Sequence, residues 1–222
     1  MIQSITLETL KTDLLLRTLI ETGNQHLGML GYTDHGIGHV TLVAERASAI
    51  LQALGAPPRE VELAAIAGYM HDIGNVINRE GHSLSGALMA ARVLLRLGMD
   101  PDEVAQIAAA IGNHDEGTGH PVNRMAAALI LADKSHVHRT RVRNTDEATF
   151  DIHDRVNYAV NHAELKVDGT RRVITMESSV DPEICSVMDY FEIFLTRMVM
   201  SRRAAARLDC TFELVINGAK LL

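Results

Sequence analysis

The spacing of apolar and polar residues changes along the chain and separates a helical part from a part with strands. From Thr6 to Asp133, apolar residues recur every three or four positions, as on one face of an amphipathic helix. We predict helices over residues 6–20, 34–54, 57–72, 83–97, 100–112 and 123–133. In this prediction Gly23 stops the first helix, Asp34 caps the second and Ser83 caps the fourth.

After about Arg143 the pattern becomes an alternation of apolar and polar residues, which is typical of half-buried strands. This alternation covers Tyr158–Val167 and Arg172–Ser179, and Asp168-Gly169 between them predicts a hairpin turn. Thr211–Ile216 predicts a third short strand.

A long helix is predicted between the second and third strands, starting at Asp181-Pro182 and reaching Leu208. Its apolar stripe is suited to cover a small sheet. We therefore predict a mainly α protein with a helical bundle over residues 1–145. Residues 146–222 would form a small α+β subdomain packed on it, with an antiparallel β-sheet backed by the long helix.

Composition narrows the class of protein. Aromatic residues make up 4% of the 222 residues and Trp is absent, so aliphatic side chains and Met must fill the core. The two cysteines form no motif and suit a reduced, cytoplasmic protein. Charged residues interrupt every apolar run, so we expect no membrane span. A net charge of −7 makes nucleic acid an unlikely partner.

The candidate chemistry centres on the dipeptide His71-Asp72, at the end of a predicted helix. A His beside an Asp at such a place is commonly only a capping or surface pair. Here further nitrogen and oxygen donors adjoin other helical stretches, and helical bundles build metal sites from such facing positions. The set is His39, His71, Asp72, His82, His114 and Asp133.

The order of these donors resembles that of the HD superfamily of metal-dependent phosphohydrolases, over roughly Tyr32 to Arg143. The segments EGHSLSGALMA and LILADKSHVHR are similar to the HD domain of Y-type bacterial ribonucleases. The loop HDEGTGHP is similar to a shortened loop of the HD-GYP phosphodiesterases, with Asp115 in place of a second His and His120 in place of a Tyr. This departure argues against hydrolysis of cyclic dinucleotides.

The resemblance implies a helical HD fold and a site for one or two divalent ions, drawn from Mn, Fe, Co, Zn and Mg. Asp72 would bridge two ions, and a shared hydroxide would attack phosphorus. His39, His71 and Asp133 would hold one ion, and His82 and His114 the other.

Other residues near these positions have open roles. Asp115 would orient His114 or accept a proton as a catalytic residue, although a solvated loop acid is an equal alternative. His35 stands where some trinuclear relatives carry an extra ligand, but an ordinary polar residue at a helix start also fits.

A basic run follows Asp133 and is the one dense cluster of cations near the predicted ligands: Lys134, His138, Arg139, Arg141 and Arg143. Lys134, with Arg139 or Arg141, would hold a substrate phosphate, and the loop Gly117–Pro121 would border the entrance. A solvated helix end is the alternative for these cations.

The leading functional hypothesis is a hydrolase of a small phosphate ester, a nucleotide or related compound. The alternatives are a di-iron oxygenase with the same ligand set, a phosphodiesterase acting on cyclic nucleotides or RNA, and a regulatory module with a vestigial metal site. The apolar surface of residues 158–222 suits assembly, and we expect a homodimer.

Overall fold

The computed structural model describes residues 4–222, most of them helical. The α-helices are α1 Leu7–Lys11, α2 Leu14–Met29, α3 Ile37–Ala53, α4 Pro58–Met70, α5 His82–Arg96, α6 Pro101–Gly112, α7 Arg124–Lys134, α8 Ile152–Ala159 and α9 Val187–Arg207. The strands are β1 Val160–Asp168, β2 Val173–Val180, β3 Thr211–Ile216 and β4 Ala219–Lys220, and short 3-10 turns cover Ile73–Val76, Arg139–Arg141 and Glu147–Thr149. None of the helices described here is both long enough and apolar enough to span a membrane.

The predicted mainly α fold is confirmed, and the capping residues explain where the central helices begin. The Asn123 side chain accepts a hydrogen bond from the Ala126 backbone N–H at the start of α7. Asp100 accepts from the Asp102 N–H at the start of α6. Proline occupies the first turn of both α4 and α6, where the helix does not use the backbone N–H that proline lacks.

The N-terminal prediction was wrong in its boundaries. The predicted first helix is split, because the Asp13 side chain caps α2 by accepting from the Leu16 N–H. Gly23 lies inside α2 rather than after it, and a Cβ there would stand 3.0 Å from the backbone nitrogen of Val76. The residue therefore serves close packing and not helix termination.

Two further helix starts differ by a few residues from the prediction. Gly36, and not Asp34, is the N-cap of α3, while an Asp34 carboxylate oxygen accepts from the Gly36 N–H. Gly81, and not Ser83, precedes α5, with a left-handed backbone at φ 70° that favours glycine. His82 is therefore the first residue of α5 rather than a residue before it.

The C-terminal sheet is mixed, which corrects the prediction of an antiparallel sheet. Its strand order is β1-β2-β3-β4, and β1 and β2 form the predicted antiparallel hairpin. β2 and β3 are parallel, with Val173 opposite Thr211 and Ser178 opposite Ile216. Parallel neighbours need a long crossover, and α9 supplies it. The predictions also lacked α8 and the short β4, and they began the long helix too early.

Helix α9 joins the sheet to the bundle. It packs against both β3 and α7. Apolar residues of the bundle, of α9 and of the sheet belong to one continuous buried cluster. A capping box between Ser186 and Asp189 fixes where α9 begins. The division into segments 1–145 and 146–222 stays a prediction.

Two glycines let the helical backbones approach closely around the centre of the bundle. A Cβ on Gly68 of α4 would lie 2.7 Å from Ala44 Cα and 2.8 Å from Ala44 N in α3. A Cβ on Gly74 would collide with the His82 carbonyl oxygen and the Gly86 backbone at the start of α5. The segment containing His71 and Asp72 is thus pressed against both α3 and α5.

We expect Gly68→Ala to lower the free energy of unfolding by about 1–3 kcal/mol, because the added methyl group must displace the backbone of α3. Urea unfolding followed by circular dichroism measures this. Gly112→Ala is the matched control: its Cβ would stand 3.6 Å from Ala87 Cβ, an ordinary contact, and helix propensity favours Ala. Equal stability of the Gly68→Ala variant and the parent would contradict the packing argument.

Candidate metal centre

Five helix ends bring the six predicted ligands to one buried point. His39 lies in the first turn of α3, and His82 opens α5. His71-Asp72 directly follows α4, His114 lies two residues after the end of α6, and Asp133 lies in the last turn of α7. The four imidazoles and Asp72 are buried, and the side chain of Asp133 is 14% exposed. The structure thus brings all six together.

One group of donor atoms surrounds the space between α3, α4 and α7. His39 Nε2 lies 3.3 Å from His71 Nε2 and 3.4 Å from Asp133 Oδ1. Asp72 Oδ2 lies 3.6 Å from His39 Nε2 and 3.3 Å from His71 Nε2. Ligands about 2.1 Å from one ion are separated by roughly 3 to 3.5 Å, so this spacing fits a single divalent ion.

A second group lies on the other side of Asp72. His82 Nε2 and His114 Nε2 are 3.1 Å apart. Asp72 Oδ1 lies 3.5 Å from the first and 3.9 Å from the second. The two carboxylate oxygens of Asp72 therefore face two different groups of imidazoles, which is the placement a bridging ligand needs.

The protonation states of His39, His82, His114 and Asp72 match those that metal binding requires. Burial lowers the pKa of His39 to about 4, and burial also lowers the pKa of His82 and His114. Burial would raise the pKa of Asp72, but His71 and other imidazoles hold it well below its usual value. Burial opposes protonation of His71, yet Asp72 raises its pKa. Three imidazoles are thus neutral beside an ionised carboxylate.

An unpartnered oxygen supports the fit to a cation. In residues 4–222, Asp72 Oδ2 is buried and reaches no hydrogen-bond donor in acceptable geometry. An ionised oxygen buried in this way is costly unless a positive charge compensates it. The donor set contains imidazole and carboxylate groups without thiolate, which suits a divalent ion such as Mn, Fe, Co or Zn.

Hydrogen bonds to backbone carbonyls orient three of the imidazoles. The Nδ1–H groups of His71, His82 and His114 donate to carbonyl oxygens three residues earlier, at 2.8, 2.9 and 2.6 Å. With the proton on Nδ1, each Nε2 keeps its lone pair for the centre. This arrangement is the usual outer support of metal-binding histidines.

His39 is oriented by another histidine, His136, which the sequence reasoning did not select. The two Nδ1 atoms are 2.9 Å apart, and the rings are stacked. Burial and the neighbouring Arg141 lower the pKa of His136 to about 2, so its neutral ring can accept the His39 Nδ1–H. Its position three residues after Asp133 was an available signal.

Cations line the pocket above the six donors. Lys134 Nζ lies 2.6 Å from Asp133 Oδ2 and 3.5 Å from Glu116 Oε1. Arg197 Nε lies 2.7 Å from the same Glu116 oxygen, and Arg79 Nη1 lies 3.9 Å from Asp72 Oδ1. Lys134 was predicted, whereas Arg79, Glu116 and Arg197 were missed. Arg197 reaches the pocket from α9, and nothing near it in the sequence signals that.

The remainder of the basic run lies differently from the prediction. The Arg141 guanidinium lines the pocket but donates to the Asp34 and His136 carbonyl oxygens. Arg139 lies over the Tyr158 ring, at 5.1 Å from its centroid. Arg143 contacts Asn24 and Asp34. Arg141 and Arg143 therefore link the segment after α7 to α2 and to the loop before α3.

His35, Asp115 and His120 differ in their surroundings. His35 lines the pocket, with its ring centroid 5.3 Å from that of His39. The Asp115 carboxylate accepts from the Gly117 N–H at 3.3 Å and opposes the effect of burial on the pKa of His82. His120 is exposed. The catalytic role of Asp115 stays a prediction.

A family model described as HD domain matches residues 36–192, which contain all six predicted ligands and reach into α9. An uncharacterized protein of Methanocaldococcus jannaschii is 28% identical over 174 residues, which are 68% of this chain and 66% of that protein. The match therefore spans slightly less than two thirds of that relative's length.

Among solved structures, a predicted HD superfamily hydrolase from an uncultured Thermotogales bacterium is 25% identical to this chain. The superposition covers 59% of this chain and 73% of the other, with a TM-score of 0.44.

We expect His136→Leu to weaken binding of Mn²⁺ or Zn²⁺ about 10- to 100-fold, because His39 loses the group that fixes its orientation. Competition with a chelating dye measures the affinity. His136→Gln keeps an acceptor and should retain most of it. His120→Leu, in the exposed loop, is the control. Unchanged affinity of the His136→Leu variant would show that His39 needs no such support.

Proposed function

Because the chain belongs to the HD domain family, we propose that it is a metal-dependent phosphohydrolase cleaving a small phosphate ester, a nucleotide or related compound. The position of Asp72 gives this function its strongest support. Its two carboxylate oxygens face two separate pairs of buried imidazoles. That arrangement fits two divalent ions better than a hydrogen-bonded structural cluster.

The residues divide into two sets of ligands. We assign His39, His71 and Asp133 to one ion and His82 and His114 to the other, with Asp72 between them. When bound, divalent ions lower the pKa of water and stabilise negative charge on phosphoryl oxygens. Backbone carbonyls hold the Nε2 atoms of three imidazoles in place and His136 holds that of His39, so the ligands need little rearrangement on binding.

The cations above the ligands are suited to hold the phosphate. Lys134, Arg79 and Arg197 line the pocket, and guanidinium forks match the geometry of phosphate oxygens. We assign these three to the phosphate in place of Arg139, which lies at the Tyr158 ring. Arg141 is already bonded to backbone carbonyls and is assigned to support of His136.

The same cations argue for phosphate chemistry over oxidation by a di-iron centre, since the imidazole and carboxylate ligands alone would serve both. Polymeric RNA needs a track of several phosphate contacts. The cavity beside the centre is instead bordered by Asp151 and Asp154. A small phosphate ester therefore fits better than RNA.

A second copy of the chain is also an expected partner. The fold leaves large apolar side chains exposed on α5 and α9: Leu84, Leu88, Leu95, Met188 and Leu195. Exposed apolar patches often mark interfaces, and most soluble oligomers are symmetric homo-oligomers.

We expect the purified protein to hydrolyse phosphomonoesters only when Mn, Co, Mg or Fe is present, and Asp72→Ala to lose nearly all activity and most bound metal. A panel of phosphate esters, assayed after chelation and metal replacement, measures the activity. Elemental analysis measures the metal content.

Asp102→Ala is the control, since Asp102 is an exposed acid on α6 outside the centre. An Asp72→Ala variant as rich in metal as the parent would contradict the bridging assignment. Oxygen consumption by an iron-loaded protein that hydrolyses no phosphate ester would favour the oxygenase alternative.

We expect Lys134→Gln to raise KM about tenfold for a phosphomonoester while metal content stays at the parent level, since a phosphate contact is typically worth about 1.5 kcal/mol. Steady-state kinetics and elemental analysis check both quantities. Arg139→Gln is the matched control for loss of one charge from the basic run. A Lys134→Gln variant that loses its metal would assign this side chain to support of Asp133 instead.

A further inference from the structure

A second cavity of about 450 Å³ adjoins the metal centre. It lies between the loop that joins α2 to α3 and the C-terminal elements α8 and α9. His35, Arg79 and Arg197 line both this cavity and the pocket above the metal ligands. A molecule held at the centre would therefore extend into this cavity, whose volume lies in the range of small-ligand sites.

The cavity has two chemically different ends. Arg79 and Arg197 form a cationic end beside the centre. Asp151, Asp154 and Asn157 of α8 and its N-cap line another part. Tyr32 and Phe194 contribute aromatic surface to the wall. This polarity suits a molecule with a phosphate at one end and hydrogen-bond donors at the other.

Asp154 is the residue at the acidic end that most needs a partner. Only 9% of it is exposed, and within residues 4–222 its carboxylate accepts a single side-chain hydrogen bond, from Asn144 Nδ2 at 3.5 Å, the limit for such a bond. Capping of α8 does not use this carboxylate, because Asp151 Oδ1 accepts from the Asp154 N–H at 2.7 Å. Burial and the nearby Asp151 raise the pKa of Asp154.

Asn157 adds an acceptor to the same end. It is buried, and its amide Nδ2 donates to the His153 carbonyl oxygen at 2.8 Å. No donor among residues 4–222 bonds its side-chain oxygen, which can therefore accept a hydrogen bond. Two adjacent acceptors with few donors of their own match hydroxyl groups, each of which brings one donor.

We propose that this cavity binds the hydroxylated organic group of the phosphate ester, with Asp154 and Asn157 accepting hydrogen bonds from its hydroxyls. The inference rests on the proposed function and narrows its substrate to esters of a sugar or a nucleoside. It also gives α8 a part in substrate selection, in addition to the assembly expected of the C-terminal segment.

The test compares kcat/KM for three phosphate esters with the metal-loaded protein: ribose 5-phosphate, a nucleoside 5′-monophosphate and phenyl phosphate. We expect Asp154→Leu to lower the preference for the hydroxylated esters over phenyl phosphate about 10- to 100-fold, since hydroxyls would be left unpaired. Asp154→Asn should keep most of the preference, because its amide oxygen still accepts. Glu183→Gln, an exposed acid outside the cavity, is the control.

A second measurement needs no variant. Ribose or the free nucleoside should inhibit phenyl phosphate hydrolysis competitively, and the stronger inhibitor identifies the sugar or the nucleoside as the source of the hydroxyls. Absence of inhibition by both would overturn the inference even if the Asp154→Leu variant did not fold.

The remaining outcomes separate the two claims. Hydrolysis of phenyl phosphate with an unchanged preference in Asp154→Leu would overturn the inference and leave the proposed function intact. The unsubstituted protein could instead prefer phosphoethanolamine to the hydroxylated esters and lose that preference in the Asp154→Asn variant. That result would show that the cavity recognises an amine, and it would also overturn the inference. A parent that hydrolyses none of these esters would overturn both.

Discussion

An ionised carboxylate buried among imidazoles, three of which burial keeps neutral, needs a compensating positive charge, and this need governs the centre of the molecule. Asp72 is in that position, since its Oδ2 meets no donor in acceptable geometry within residues 4–222. Its two oxygens face different imidazoles, so one ion on each side would compensate both. Metal binding would then contribute directly to the stability of the helices that supply the ligands.

The backbone is arranged to meet this requirement. Gly68 and Gly74 allow the segment with His71 and Asp72 to touch α3 and α5, which carry His39 and His82. Carbonyl oxygens three residues earlier fix the tautomer of three imidazoles, and His136 does so for His39. The helix ends and His136 therefore orient the imidazole ligands, and their side chains have little freedom to rotate.

Local sequence signals predicted the parts of the structure that depend on neighbouring residues. Asp100-Pro101 and Asn123 correctly marked helix starts, and the hairpin between β1 and β2 followed from alternation. The parallel pairing of β2 with β3 depends on the path of α9, which no local pattern encodes. Arg197 lies on that same helix, so its position in the pocket also depends on long-range packing.

The most direct measurement is anomalous X-ray scattering at the manganese absorption edge, from crystals of the parent protein grown with Mn²⁺. We predict two peaks, one on each side of the Asp72 carboxylate, the first among His39, His71 and Asp133 and the second beside His82 and His114. An absence of peaks at Asp72 in crystals that show manganese elsewhere on the protein would contradict this prediction.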